Sequence, residues 1–299
     1  MRRKVYIWTM CLLGLAMVAS CSKQAADEPD EPKETKEVKL TFWAVQGDGA
    51  DTRTKINNDK TVHWNKGDMI TIFSKDDGYA FTTSDEGPSV KFDGIVTRED
   101  AVYYALYPND YDAYHNPADP TTIITYIPAS REASDNSFSN GGNITVAKTT
   151  SGEMTLAFKN VCGLIKFNIV SEHPEDITKI VLQGNNNENI SGQLRITNVG
   201  VAENPDDSTN PLTATITGTG KTITLTPAYG KYFKTDTYYY IVTAPKTFSS
   251  GFTLTYYYQD ANTNNPEASA VGINKTESVS VERSTIYDAG TITYTRAVP

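Results

Sequence analysis

All-β is the fold class this sequence predicts, and three observations carry it. Short runs rich in Val, Ile, Thr, Tyr and Phe put apolar residues on alternate positions, the period of a strand with one face buried. Clusters of Gly, Asp and Asn separate these runs, residues suited to the tight reversals that join antiparallel strands. No segment sustains the 3.6-residue period of an amphipathic helix.

Length and composition set the scale. A chain of 299 residues has the length of about two domains, and 38% hydrophobic residues, with 18 Tyr and 10 Phe, supply enough apolar surface for two cores. The formal charge is −9, and the first twenty residues hold Arg2, Arg3 and Lys4 without an acid, so the remainder carries −12. Such a surface repels a phosphate backbone, and no nucleic-acid partner is expected. It suits solubility outside a cell.

Taken in order, the chain begins with Arg2-Arg3-Lys4 and the apolar run 5–19. The run is shorter than the roughly 20 residues of a membrane span and has the basic-then-apolar layout of a secretory signal. It closes on Val18-Ala19-Ser20-Cys21, which resembles the lipobox of bacterial lipoproteins. That likeness implies removal of residues 1–20 and acylation of Cys21, with palmitate or a similar chain anchoring it in outer-membrane lipid. Residues 21–37 are acidic, lack aromatic side chains and bury nothing, so they read as a flexible tether with a reach on the order of 20 Å. An acidic tract just after the acylated Cys is similar to the surface-export signals of Bacteroidetes lipoproteins, which implies the outer face of the outer membrane. With Cys11 lost and Cys21 lipidated, Cys162 stands alone and forms no internal disulfide. It lies in an apolar run with no nearby His and reads as a small packed hydrophobe.

The first predicted domain, residues 38–160, opens with Val38, Leu40, Phe42 and Ala44 alternating with Lys39, Thr41 and Trp43, a half-buried strand. A Gly- and Asp-rich loop follows at 46–54, expected to be exposed and open to proteases, with Arg53 and Thr54 at its end. His63-Trp64 and the turn Asn65-Lys66-Gly67-Asp68 lead to strands at 69–74, 79–83 and 90–92 and the apolar run 101–108.

At 156–170 the apolar phase switches. Leu156 and Phe158 occupy even positions, whereas Ile165, Phe167 and Ile169 occupy odd ones. One strand cannot change its buried face without a break, so the break at 160–163 reads as the boundary with a second domain, residues 161–299, Gly163 supplying backbone freedom. Strand patterns recur there at 179–183, 193–197, 212–216, 222–226, 238–243, 252–258, 277–281 and 291–295. Tyr103-Tyr104 before Pro108 is echoed by Tyr239-Tyr240 before Pro245, as two related sandwiches in series would give.

In order, Thr52-Arg53-Thr54, Val62-His63-Trp64-Asn65-Lys66-Gly67-Asp68, Ile72-Phe73, Phe92-Asp93-Gly94, Tyr103-Tyr104-Ala105-Leu106-Tyr107-Pro108, Phe158-Lys159-Asn160-Val161-Cys162-Gly163-Leu164-Ile165-Lys166-Phe167 and Gly251-Phe252-Thr253-Leu254 resemble the fimbrillin family. These are the type V pilins and fimbrillin-like lipoproteins of Bacteroidales bacteria, and the likeness spans nearly the whole chain. The resemblance implies two transthyretin-like β-sandwich domains in series after a lipoprotein signal and tether. It also implies assembly with other fimbrial subunits, as a homo- or heteropolymer, by β-strand addition after an Arg-specific protease removes the first strand. Cutting between Arg53 and Thr54 would free that strand with its anchor. A neighbour's C-terminal strand, Ile292 and Tyr294 entering the vacated pockets, is the expected replacement.

Enzyme chemistry is not indicated. The Gly218-Thr219-Gly220-Lys221-Thr222 stretch lacks the Gly that a phosphate loop needs at Thr215 and runs into a strand pattern. His63, His115 and His173 are scattered, two beside turn residues, and read as solvated rather than metal-bound. No carboxylate pair has a spacing that singles it out. No enzyme, cofactor or metal is therefore expected. Two function classes remain. One is a fimbrial subunit (shaft, tip or accessory), and the other is a surface lipoprotein that binds host or bacterial glycans. The second rests on Tyr-rich stretches such as 107–114 and 256–258. Tyr is also a good strand former with a polar tip, which weighs toward the first.

Overall fold

The structure, a computed structural model, describes residues 37–46, 63–75, 77–139, 141–201, 211–259 and 267–296. The predicted signal peptide, nearly all of the tether, and Cys21, Arg53 and Thr54 lie outside the described residues.

The fold is all-β. Among the described residues ten strands precede the switch at 160–163: β1 (Val38–Gln46), β2 (Met69–Ser74), β3 (Asp77–Thr82), β4 (Val90–Val96), β5 (Val102–Tyr107), β6 (Tyr114–His115), β7 (Ile123–Ile127), β8 (Ser130–Glu132), β9 (Thr145–Thr150) and β10 (Thr155–Asn160). Eleven follow: β11 (Gly163–Ser171), β12 (Ile177–Gly184), β13 (Gly192–Thr197), β14 (Thr213–Ile216), β15 (Thr222–Thr226), β16 (Thr237–Thr243), β17 (Lys246–Phe248), β18 (Phe252–Tyr258), β19 (Ala268–Asn274), β20 (Val279–Val281) and β21 (Ile286–Tyr294). Among the described residues a single 3₁₀ turn, Pro174–Asp176, begins with the residue whose fixed φ favours a helical start.

Seven strands of the first half close on themselves in the order β1-β10-β9-β5-β2-β3-β4. Two junctions are short: β3 meets β4 only at Phe81–Gly94 and Thr82–Asp93, and β10 meets β9 only at Lys159–Val146 and Asn160–Thr145. The closed sheet therefore bends at two corners into facing layers, β4-β1-β10 and β3-β2-β5-β9, which is a sandwich. Between them Phe42 meets Phe81 and Tyr103 edge-on at 5.4 and 5.1 Å, and Trp64 meets Phe92, Tyr107 and Phe158 at 5.0 to 5.2 Å. Edge-to-face contact is the favoured aromatic geometry.

A second sandwich sets the three-stranded layer β16-β11-β21 against the sheet β19-β18-β12-β15-β8, joined by Phe252 on Tyr287 and Tyr256 on Tyr294, each at 5.8 Å. Two smaller sheets, β14-β13-β7-β6 and β17-β20, complete it. β2 and β5 are buried on both faces. Ile72, Tyr103 and Ala105 belong to the first core, while Phe73, Tyr104 and Leu106 belong to the second. That double burial explains the near-continuous apolar run in β5.

The midpoint phase change has a structural counterpart. β10 belongs to the first sheet and β11 to another, with Leu156 and Phe158 buried before the switch and Ile165, Phe167 and Ile169 after it. Gly163 differs from expectation. It has no positive φ, so its role is not backbone freedom. A Cβ there would collide with the Glu282 carbonyl oxygen and lie 2.7 Å from Val281 Cγ1, so glycine is required by close approach. Strand pairing also crosses the division drawn at 160, because β7 pairs with β13 and β8 runs parallel to β15. The Tyr-Tyr-Pro echo falls on β5 and β16, which occupy non-equivalent layers. The repeat lies in the strand plan instead. In each half the first strand is central in a three-stranded layer and runs parallel to that half's last strand: β1 beside β10, and β11 beside β21.

Candidate functional site

β1 is the candidate site. It follows from alternation: Phe42 and Ala44 are fully buried and Leu40 packs partly on the first core, while Lys39, Thr41 and Trp43 face outward. On one side β1 runs antiparallel to β4, from Val38 opposite Val96 to Ala44 opposite Val90. On the other it runs parallel to β10, from Trp43 opposite Thr155 to Gln46 opposite Phe158. Trp43 N–H donates to the Met154 carbonyl at 2.9 Å, Thr41 Oγ1 donates to Asp93 Oδ1 at 2.5 Å, and Lys91 Nζ lies 4.8 Å from the centre of the Trp43 ring. The register is tight at Leu40–Gly94, where a Cβ on Gly94 would lie 2.6 Å from the Phe81 ring. Among the described residues β1 carries no ion pair. What holds it is mainly backbone pairing on both edges and an apolar inner face, with Thr41 to Asp93 and Lys91 over Trp43 on the outer face. Taking a central strand out of a layer leaves a slot between two unpaired edges, which any strand of the same alternation can fill.

Ile292 and Tyr294, the expected donor residues, lie in β21, where both are buried. β21 runs parallel to β11, from Leu164 opposite Ile286 to Ser171 opposite Tyr294, with one bulge after Lys166. Its end is clamped on Asp176. Arg296 donates from Nε to Asp176 Oδ2 at 2.8 Å and from Nη2 to Oδ1 at 2.6 Å, and the Tyr294 hydroxyl donates to Oδ2 at 2.9 Å. The Asp176 side chain has no solvent exposure, and a two-pronged guanidinium–carboxylate contact is the strongest form such a pair takes. Burial first, and then the neighbouring Asp176 carboxylate, push the Tyr294 hydroxyl well above the usual phenol range. Sequence reading missed this clamp. Asp176 sits in a Glu-Asp pair that looks like surface, and Arg296 stands 120 residues away.

Cys162 is buried, and burial pushes its thiol up to about 12, so it supplies no thiolate nucleophile at neutral pH. His115 is buried rather than solvated, its ring beside Phe73 and Tyr104, with Nδ1 3.0 Å from the Lys75 carbonyl and Nε2 2.5 Å from that of Pro120. The short β6 draws it under the neighbouring sheet, a tertiary effect that turn-like sequence hides.

No protein-family model matches the chain, and no curated protein matches it. Among solved structures it is similar to a candidate cell adhesion protein from Bacteroides uniformis, at 14% identity over 89% of this chain and 95% of that one, with a TM-score of 0.46. A second such protein, from Bacteroides ovatus, gives 11% identity, 84% and 91% coverage and a TM-score of 0.43. The tip fimbrial protein Mfa3 from Porphyromonas gingivalis, with C-terminal truncation, gives 9%, 85% and 94%, and 0.32. Likenesses at this level carry no argument about function, and the functional reading of this chain rests on its own strands.

Proposed function

We propose that this chain is a fimbrillin-like structural subunit of a cell-surface fimbria, made as a lipoprotein anchored through Cys21 in the outer membrane. An Arg-specific protease cuts between Arg53 and Thr54, β1 departs with the anchor, and a strand from another subunit takes its place. The observation that supports this most is the position of β1, central in β4-β1-β10 and held by backbone pairing and the burial of Phe42 and Ala44. Burying Phe42 alone is worth about 2–3 kcal/mol, and the vacated edges add unpaired backbone groups that a new strand satisfies.

The donor is a C-terminal strand of the kind that carries Ile292 and Tyr294. In this chain, donation requires β21 to leave β11 and Asp176 to release Tyr294 and Arg296. A copy that keeps its clamp closed accepts a strand and gives none, which is the behaviour of a tip or accessory subunit; one that opens it extends a shaft.

Incubating the purified precursor with an Arg-specific protease tests the proposal. Cutting at Arg53 followed by strand-exchanged oligomers on denaturant-free gels, with other subunits or with further copies, is expected. Both are absent in Arg53→Ala. A precursor that is cut at Arg53 and neither loses β1 nor accepts any strand contradicts the proposal.

A further inference from the structure

Beside the second sandwich lie two adjoining cavities that the strand-exchange reading leaves unused. One, of about 390 Å³, is lined by Arg131, Glu132, Ala133, Ser134 and Ser139. The other, of about 710 Å³, shares Ala133 and Ser134 and continues past Asp135 to Tyr232 and Phe233. Both fall in the size range of small-ligand sites, about 300–1,000 Å³.

Arg131 is the unusual group. Its Nε is shut off from solvent and has no hydrogen-bond partner, and among the described residues its one side-chain hydrogen bond runs from Nη1 to the Gly141 carbonyl at a long 3.5 Å. It pairs with no carboxylate among the described residues. The titratable group it faces most closely, Cys162, is held as a neutral thiol by burial and offers no counter-charge. Desolvation accordingly lowers the Arg131 pKa from its usual value. Nε itself is closed to a ligand, so an anion in the cavity that Arg131 lines would meet the terminal nitrogens of a guanidinium that has no counter-charge, and their planar fork matches a carboxylate.

The second cavity supplies a platform. Phe233 is buried and packs edge-on against Tyr239 at 5.1 Å. Asp135 holds Lys234 Nζ at 2.6 Å and the Tyr239 hydroxyl at 3.3 Å, so the floor is fixed. Above it Tyr232 is 65% exposed, and on the same loop Tyr229 is fully exposed. An exposed ring next to charged, hydrogen-bonding side chains is the chemistry that receives a pyranose, apolar face on the ring and hydroxyls on the polar groups.

We propose that the joined cavities bind an acidic saccharide of two or three rings, its carboxylate on Arg131 and a neutral ring against Tyr232. This is independent of strand exchange at β1. Calorimetric titration of the purified full chain tests it with four probes: a disaccharide ending in glucuronic acid, its counterpart ending in glucose, inorganic phosphate, and a short peptide with a free C-terminal carboxylate. The acidic disaccharide is expected to bind at least tenfold more tightly than the neutral one. Arg131→Gln should abolish that preference with the melting temperature unchanged or raised, since no ion pair is lost. Tyr232→Ala, at an exposed residue, should weaken both sugars several-fold. Equal binding of the two sugars, or binding of neither, overturns the proposal. So does phosphate binding as tightly as the acidic sugar with no effect of Tyr232→Ala, which would leave a simple anion site, or a lowered melting temperature in Arg131→Gln, which would make Arg131 structural. Preferential binding of a short peptide through its C-terminal carboxylate overturns it in favour of a protein partner.

Discussion

The two three-stranded layers, β4-β1-β10 and β16-β11-β21, share a plan and differ in what ties them together. In both, the first strand of the half is central, antiparallel to one neighbour and parallel to the last strand. In the second layer, side chains lock the parallel pair. Lys166 Nζ meets Asp288 Oδ2 at 2.6 Å, Thr291 Oγ1 donates to Asn168 Oδ1 at 2.6 Å, and Asp176 clamps the end of β21. In the first layer β1 has one side-chain hydrogen bond, Thr41 to Asp93, and no ion pair among the described residues. The parallel contact of β1 with β10 covers only Trp43 to Gln46, whereas that of β11 with β21 runs from Leu164 to Ser171. A strand held mainly by burial and backbone pairing is more readily replaced by another of the same period than one held by several specific side-chain pairs. If strands exchange as proposed, this difference favours the first half as the slot.

The largest expected effect concerns Phe42. Phe42→Ala removes a ring wedged between Phe81 and Tyr103 and should cost the intact chain about 3–5 kcal/mol. After cutting at Arg53 and loss of β1 it should cost nothing, because the residue has gone. Phe167→Ala in β11, fully buried, should cost a similar amount in both forms. Urea unfolding of cut and uncut protein checks all four states, and an equal penalty for Phe42→Ala before and after cutting would show that β1 never leaves.

Next in size is the clamp. Arg296→Ala takes the guanidinium from a fully buried carboxylate and should cost about 3 kcal/mol, with faster amide exchange confined to β21. Unchanged protection across Ile286–Tyr294 would mean that the clamp does not hold the strand.

Gly163→Ala should cost about 1–3 kcal/mol, because the new Cβ must displace the Glu282 carbonyl. A substitution without penalty in urea unfolding would remove the close-approach argument.

The smallest effect is at Asp288. Its hydrogen bond from Lys166 holds its carboxyl below the usual 3.8, so it contributes stability above that value, lost as pH falls through the lowered one. The pair is partly exposed, at 24% and 57%, and is worth up to about 1 kcal/mol. Asp288→Asn should therefore be less stable than the natural protein by this amount at neutral pH, and the gap should close as pH falls through the lowered value. A gap that persists in acid would point to packing instead of charge.

Strands with strict alternation were legible in the sequence. Those expected at 69–74, 222–226 and 252–258 form at these bounds. Others were not, for identifiable reasons. Ile123–Ile127 is a short run between Pro120 and Pro128, Ser130–Glu132 has no apolar residue, and Ala268–Asn274 is an edge strand with Ile273 alone deeply buried. β1 was readable as a strand, but its place between β4 and β10 was not, since strand pairing at long range is set by tertiary packing rather than by local period. Arg131 and Asp176 are ordinary charged letters until the fold closes Arg131 Nε off from solvent and buries Asp176.

The most direct measurement of the central claim follows a fluorescently labelled peptide of residues 38–46 added to protein cut at Arg53. The slot between β4 and β10 should take it up with one-to-one stoichiometry and restore the melting temperature of the intact chain, and the same peptide with Phe42→Ala should not bind. Failure of the native peptide to enter, or equal uptake of the Phe42→Ala peptide, would contradict an exchangeable strand at β1.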